Sequence, residues 1–250
     1  MRVSPTNVIN ETDFHNAWAS AVRFVMRNKH ELTFGNTRKR AYDSCQMIEM
    51  TGHAIDQILG RETHPQYQFG GKRLKTYIEE YDREWLKEYL KRPERERFTY
   101  VYLERLISPV DQLALMRENL RIQVEMDVTS NQCQAITWRP EEDPKMADVP
   151  CLQRISTRYI GNGNVDVRQE WRSRDVSAWQ ANVVALDNMI NREVVEPAGC
   201  KIVRIIDTSD SLHVYHYDWE MAEMVKPVPV NPMVNNHRLK SKVCQTAKTS

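Results

Sequence analysis

Apolar residues first become periodic at Phe14. Phe14, Trp18, Val22 and Val25 recur at helical spacing, with Asn10 and Thr12 ahead of them as caps. The glycine and polar residues of TFGNTRKR (33–40) interrupt that pattern, and the following YDSCQMIEMTGHAIDQILG fits either a helix or a strand. Residues 73–90 predict one amphipathic helix, because Leu74, Tyr77, Ile78, Tyr81, Trp85 and Tyr89 share a face. Residues 110–124 predict another. Beyond them the period shortens to two. Segments 133–138, 152–160, 164–172, 201–207 and 211–217 read as strands, and GNGN (161–164) separates two of them at hairpin spacing. Residues 177–195 return to the helical period, with Trp179, Val183, Leu186 and Ile190 in line. After Trp219, prolines 227, 229 and 232 and a polar run predict an extended or disordered tail. The expected fold class is α+β: helices first, then a mostly continuous mixed sheet interrupted by one long helix. One domain is expected over 1–225 and a tail over 226–250.

Composition narrows the functional classes. The chain has 250 residues, enough for a sizeable core. Its formal charge of +1 creates no field that would draw it to nucleic acid or to a membrane surface. No apolar run is long enough to span a bilayer, and MRVSPTNVINETDF lacks the apolar core of a signal peptide, so a soluble cytoplasmic protein is expected. The cysteines stand at 45, 133, 151, 200 and 244, an odd number at wide spacing and without CxxC. Neither a disulfide framework nor a metal site is expected of them, and free thiols are commonly small core residues.

Cys151 differs from the other four in its setting. It follows Pro150 where the acidic loop PEEDPKMADVP meets a strand, a junction that leaves a side chain accessible. A free thiol titrates near ~8.5, so a nearby cation would raise its thiolate fraction. WRSRDVSAW offers cations: extended, it sets Arg172 and Arg174 on one face and Ser173 and Asp175 on the other. Two arginines and a hydroxyl suit a phosphate, and a local Arg–Asp pair on a solvated strand end is the alternative. His213 and Tyr215 share a strand face and can both donate to a sugar hydroxyl or a phosphate; a plain polar sheet face is the alternative. Asn182 interrupts an apolar helix. Its amide pairs a donor with an acceptor, matching O4 and N3–H of a uracil ring, unless a core or capping hydrogen bond occupies it.

In chain order the sequence contains FTYVYLERL, DQL, AITWRPEEDPKMADVPCLQ, WRSRDVSAWQAN and DSLHVYH. This order resembles the thymidylate synthase and pyrimidine-nucleotide hydroxymethylase superfamily over about residues 98–218, most of all its shorter archaeal and phage-type branches. The resemblance implies a thymidylate synthase-like mixed sheet with packed helices, dimerised through the sheet face. It implies transfer of a one-carbon unit from 5,10-methylenetetrahydrofolate to C5 of dUMP. Cys151 matches the nucleophile and Tyr102 the tyrosine beside it, while Gln112 falls in the matching Asp-Gln pair. Arg172 and Ser173 match the phosphate ligands, Asp175 the residue contacting nucleotide amides and folate, Asn182 the pyrimidine reader, and His213 and Tyr215 the sugar-hydroxyl pair. Asn182 rather than an aspartate favours dUMP over dCMP. The family's proton-moving acid falls in 73–90, where Trp85 points back to Asp82, with Glu79 and Glu80 as competitors. Arg38 or Arg40 is the candidate for a further phosphate ligand from the GNTRKR turn.

Departures from the family pattern are also present. Ser130 is followed by Asn131 and Gln132 where two arginines reach the partner subunit's phosphate, and Leu103 replaces a glycine. Asp175 and Asn182 stand one residue closer than the family spacing, so an ungapped match would put Val183 in the reader's place. The product is dTMP on the first reading and the 5-hydroxymethyl nucleotide on the second. A nucleotide-binding member without catalysis is the third.

Overall fold

The computed structural model describes residues 4–35, 38–67 and 72–229. The chain opens with strand β1 (Thr6–Glu11), helix α1 (Phe14–Asn28) and the hairpin β2 (Glu31–Phe34) and β3 (Lys39–Thr51). Helix α1 is capped by Asp13, whose carboxylate accepts from Asn16 N at 2.9 Å, rather than by Asn10 or Thr12. Its apolar stripe of Phe14, Trp18, Val22 and Val25 is buried, as the spacing requires. The ambiguous stretch after residue 40 divides at Gly52 (φ 60°), β3 ending at Thr51 and helix α2 covering His53–Leu59.

The expected helix over 73–90 is two helices, α3 (Lys72–Glu80) and α4 (Arg83–Tyr89). The chain turns extended at Asp82 (φ −97°, ψ 131°), whose carboxylate accepts from Glu84 N at 2.9 Å and Trp85 N at 3.0 Å. An aspartate placed to cap competes with the helix interior, and periodicity alone does not reveal that competition. Helices α5 (Tyr102–Ile107) and α6 (Gln112–Met126) follow, then strands β4 (Gln134–Ile136), β5 (Leu152–Tyr159) and β6 (Asn164–Trp171). The β5–β6 turn runs through Gly161, Asn162 and Gly163, all at positive φ, which is why glycine and asparagine stand there. A two-residue strand β7 (Arg174–Asp175) leads into α7 (Val176–Ile190), and β8 (Lys201–Tyr215) is one long strand where two had been expected. Helix α8 (Trp219–Glu223) follows it.

Eight strands form one mixed sheet in the order β1-β3-β8-β6-β5-β4, with β2 added to β3 and β7 to β8. Strand pairs β1–β3 and β6–β8 are parallel, bridged by α1 and α7 respectively. The sheet therefore begins with the first residues, against the expectation of helices first. The helices cover one face. Phe14 stacks on Trp179 with ring centroids 5.4 Å apart, and Trp18 Nε1 donates to Val176 O at 3.0 Å, joining α1 to α7. The opposite face carries Val8, Met47, Ile206, Arg168 and Ile136, of which Val8 is 61%, Met47 43% and Ile136 46% exposed. Ion pairs Arg154–Glu170 and Arg158–Asp166–Arg204 cross that face.

Part of the expected tail is tied down. Val228 N donates to Asn16 Oδ1 at 2.8 Å and Val228 O accepts from Asn16 Nδ2 at 3.1 Å, while Lys226 N donates to Gln66 Oε1 at 2.9 Å. Residues 230–250 lie outside the described residues, as do Asn36 and Thr37 of the basic turn. Among the described residues no helix is long and apolar enough to cross a membrane.

Candidate functional site

Helix α3, the segment 97–102, the residues just before β5, the end of β6, β7 and α7 meet around a cavity of about 810 Å3. Cys151, Tyr102, Ser173, Asp175 and Asn182 line it together. Residues distributed from 102 to 182 in the sequence are thus brought to one wall. His213 and Tyr215 do not line the cavity but stand next to its Asp175, which pairs with His213 across β7–β8, and their rings lie 4.7 Å apart.

Cys151 sits one residue before β5 and is half-buried. Its backbone N–H donates to the Tyr102 hydroxyl at 3.3 Å. Burial raises the thiol pKa, and Asp148 adds to that effect. Arg172 and the hydroxyls of Tyr100 and Tyr102 act the other way, but burial is the larger effect. The expected cation is therefore present and does not by itself make a thiolate. Arg172 does not line the cavity: its Nε donates to Pro150 O at 2.9 Å and an Nη to Val149 O at 2.6 Å. It grips the two carbonyls that precede Cys151 and holds the nucleophile's loop.

Arg174 is not on a solvated strand end either. It is 3% exposed, donates from Nη1 to Asp207 at 2.7 Å, and stacks 3.7 Å from the Trp171 ring centroid. Asp207 also accepts from Trp179 Nε1 at 3.0 Å, so one carboxylate ties β8 to α7 and to the cavity floor. The loop entering the site is clamped elsewhere by a buried pair, Arg105–Asp143 at 2.8 Å. Gln112 is structural, accepting from Ile136 N at 2.9 Å and donating to Ile136 O at 3.0 Å.

Asn182 is 6% exposed on α7, and among the described residues no hydrogen bond engages its amide. The core or capping alternative is thereby removed, and the amide faces a cavity rather than a protein partner. Asp175 caps α7 by accepting from Ser177 N at 2.8 Å, which fixes its carboxylate beside His213.

Two expected site residues stand apart. Asp82 caps α4 and does not line the cavity; Glu80, the last residue of α3, does. Burial pushes the Glu80 carboxyl up to about 7. A carboxyl raised by burial in a cleft is a candidate functional group. Arg38 is exposed in the β2–β3 turn at φ 52° and lines no part of the cavity. Its hairpin nevertheless reaches the site's far end, with Phe34 packed 4.8 Å from His213. Arg40 is engaged by Glu31 and by the Trp219 ring. Tyr100 was not among the expected residues, yet it lines the cavity with a hydroxyl that burial raises to about 12. Its spacing of two from Tyr102 was the available signal. Among the described residues no group of three His, Cys, Asp or Glu side chains could hold a metal ion.

No protein-family model matches the chain. Individual proteins do. A "Putative thymidylate synthase" of Methanosarcina barkeri is 30% identical over 154 residues, 60% of this chain and 68% of the relative. A protein of the same name from Methanosarcina acetivorans is 31% identical over the same shares. Another from Methanothermobacter thermautotrophicus is 29% identical over 64% of this chain and 66% of the relative. Since two of these relatives are matched at 30% identity or more over two thirds of their length, the chain belongs to the thymidylate synthase family.

Proposed function

We propose that this protein transfers a one-carbon unit from 5,10-methylenetetrahydrofolate to C5 of dUMP and forms dTMP. The supporting observation is the convergence of Cys151, Tyr102, Glu80, Asp175 and Asn182 on one cavity. The Asn182 amide donates to O4 and accepts from N3–H of uracil, orienting C6 towards Cys151. Ser173 serves the phosphate from the cavity wall, and Arg172 supports the site by holding the carbonyls before Cys151. Cys151 Sγ adds to C6, forming an S–C bond and moving the ring's π electrons towards O4, so that C5 gains carbanion character. Cys151 gives its proton to solvent water and attacks as the thiolate, which Arg172 and the two tyrosine hydroxyls favour. Once the one-carbon unit is attached, C5 loses its proton to water and the S–C bond breaks, returning the electron pair to Cys151. Glu80, half protonated near neutral pH, gives a proton to the developing O4 anion and recovers it later.

The cavity also suits the folate. Its volume lies towards the upper end of the ~300–1,000 Å3 usual for ligand pockets, and Phe98, 61% exposed, and Tyr77 line it with aromatic surface. Asp175 is the polar group for the folate ring. The bound folate supplies the electrophilic carbon and the hydride that completes the methyl group. A second copy of the chain covers the open sheet face, making a homodimer.

The test is turnover. Purified protein with dUMP and methylenetetrahydrofolate is expected to yield dTMP on chromatography, and to prefer dUMP to dCMP. A 5-hydroxymethyl nucleotide would overturn the synthase reading, and no product would overturn one-carbon transfer.

A further inference from the structure

His213 lies on β8 directly opposite Asp43 of β3. Asp43 is 2% exposed and both its carboxylate oxygens are engaged. Ser4 Oγ donates to Oδ2 at 2.7 Å, and Ser211 Oγ donates to Oδ1 at 2.5 Å. Ser211 Oγ also stands 3.2 Å from His213 Nδ1. A serine hydroxyl has a single proton, and the short charge-assisted bond to the carboxylate claims it. Towards His213 the same oxygen can then only accept. Nδ1 must carry a hydrogen for that contact to form.

The rest of the ring follows. Burial, at 3% exposure, lowers the His213 pKa against the opposing pull of Asp175 and Asp43, which leaves a neutral imidazole. A neutral ring with hydrogen on Nδ1 has a bare Nε2. Phe34 at 4.8 Å and Tyr215 at 4.7 Å pack against the ring and fix its orientation.

We infer that Asp43 and Ser211 are positioning residues that hold His213 as its Nδ1–H tautomer, so that Nε2 accepts a hydrogen bond from the ligand's sugar hydroxyl. This replaces the expectation that His213 and Tyr215 both donate: His213 accepts, and Tyr215 is the neighbouring donor. The site then demands a free alcohol and rejects an ether or a hydrogen at that position. Identification of the alcohol as a nucleotide's 3′-hydroxyl rests on the proposed function; the tautomer does not.

Two measurements separate these layers. In full-length protein labelled with 15N-histidine, signals lost in His213→Gln identify the ring among the seven histidines. The expected spectrum has a protonated Nδ1 and an unprotonated Nε2 at His213, and hydrogen on Nε2 instead would overturn the inference. Ligand titration follows. Ser211→Ala is expected to weaken dUMP binding about tenfold with kcat within about twofold, while Ser211→Thr, which keeps the hydroxyl, restores it. The 3′-deoxy analogue is expected to bind both Ser211→Ala and the unsubstituted protein equally. Equal dUMP affinity in Ser211→Ala would overturn the positioning role. Failure of the unsubstituted protein to bind any uridylate would sink the nucleotide reading alone, because the tautomer is read without ligand.

Discussion

A carboxyl group held near pH 7 changes charge where the protein works, and Glu80 is such a group. Its folded pKa of about 7 lies above the ordinary 4.5, so the native chain binds the proton more tightly than the unfolded one. Stability contributed at low pH is therefore lost as pH rises from 4.5 through about 7. Glu80→Gln removes that loss. Urea unfolding above pH 7 is expected to show a gain of about 1–2 kcal/mol, after the roughly 3 kcal/mol implied by the shift is discounted for partial exposure. The gain should vanish at low pH. The same substitution is expected to slow turnover about 10²-fold or more, as loss of a general acid does; unchanged turnover would remove Glu80 from the chemistry. At this scale Cys151, Tyr102, Ser173, Asp175 and Asn182 were legible because each sits in a short ordered motif. Asp43 was not, since it meets Ser211 only after 168 residues of separation and a strand register.

The split between α3 and α4 decides which acid faces the site. The family resemblance and the spacing to Trp85 pointed to Asp82, but the capping bonds that break the helix engage Asp82 and leave Glu80 at the cavity. Asp82→Ala is accordingly expected to cost about 1 kcal/mol of stability and to leave kcat within about twofold. A collapse of turnover at preserved fold would restore Asp82 as the catalytic acid. The acidic loop before Cys151 is held differently. Asp143 is fully buried against Arg105, and it also accepts from Arg139 N at 2.7 Å. Asp143→Ala strands a buried guanidinium and is expected to destabilise the protein by about 3–5 kcal/mol in thermal or urea unfolding. A loss under 1 kcal/mol would show that this loop does not depend on the pair. From sequence, that aspartate was indistinguishable from its exposed neighbours Glu141 and Glu142.

The whole molecule is a one-sided sheet, and its assembly was only half legible. The later strands were readable from their period of two. The first three were not, because β1 is short and β3 mixes polar and apolar residues on both faces while pairing with distant partners. Val8 and Met47 lie side by side on the uncovered face. Light scattering is expected to give twice the chain mass, and Met47→Asp to give the chain mass with an unchanged circular dichroism spectrum; a monomer before substitution would rule out the proposed dimer. The proposed chemistry requires Cys151 to reach C6 of a pyrimidine ring. Fluorine at C5 of 5-fluoro-dUMP prevents the loss of hydrogen that would let the enzyme leave. Intact-mass spectrometry of the protein incubated with 5-fluoro-dUMP and methylenetetrahydrofolate is expected to show a covalent adduct containing both ligands, absent in Cys151→Ala. An unmodified mass at saturating ligand, or an adduct that survives Cys151→Ala, would contradict it.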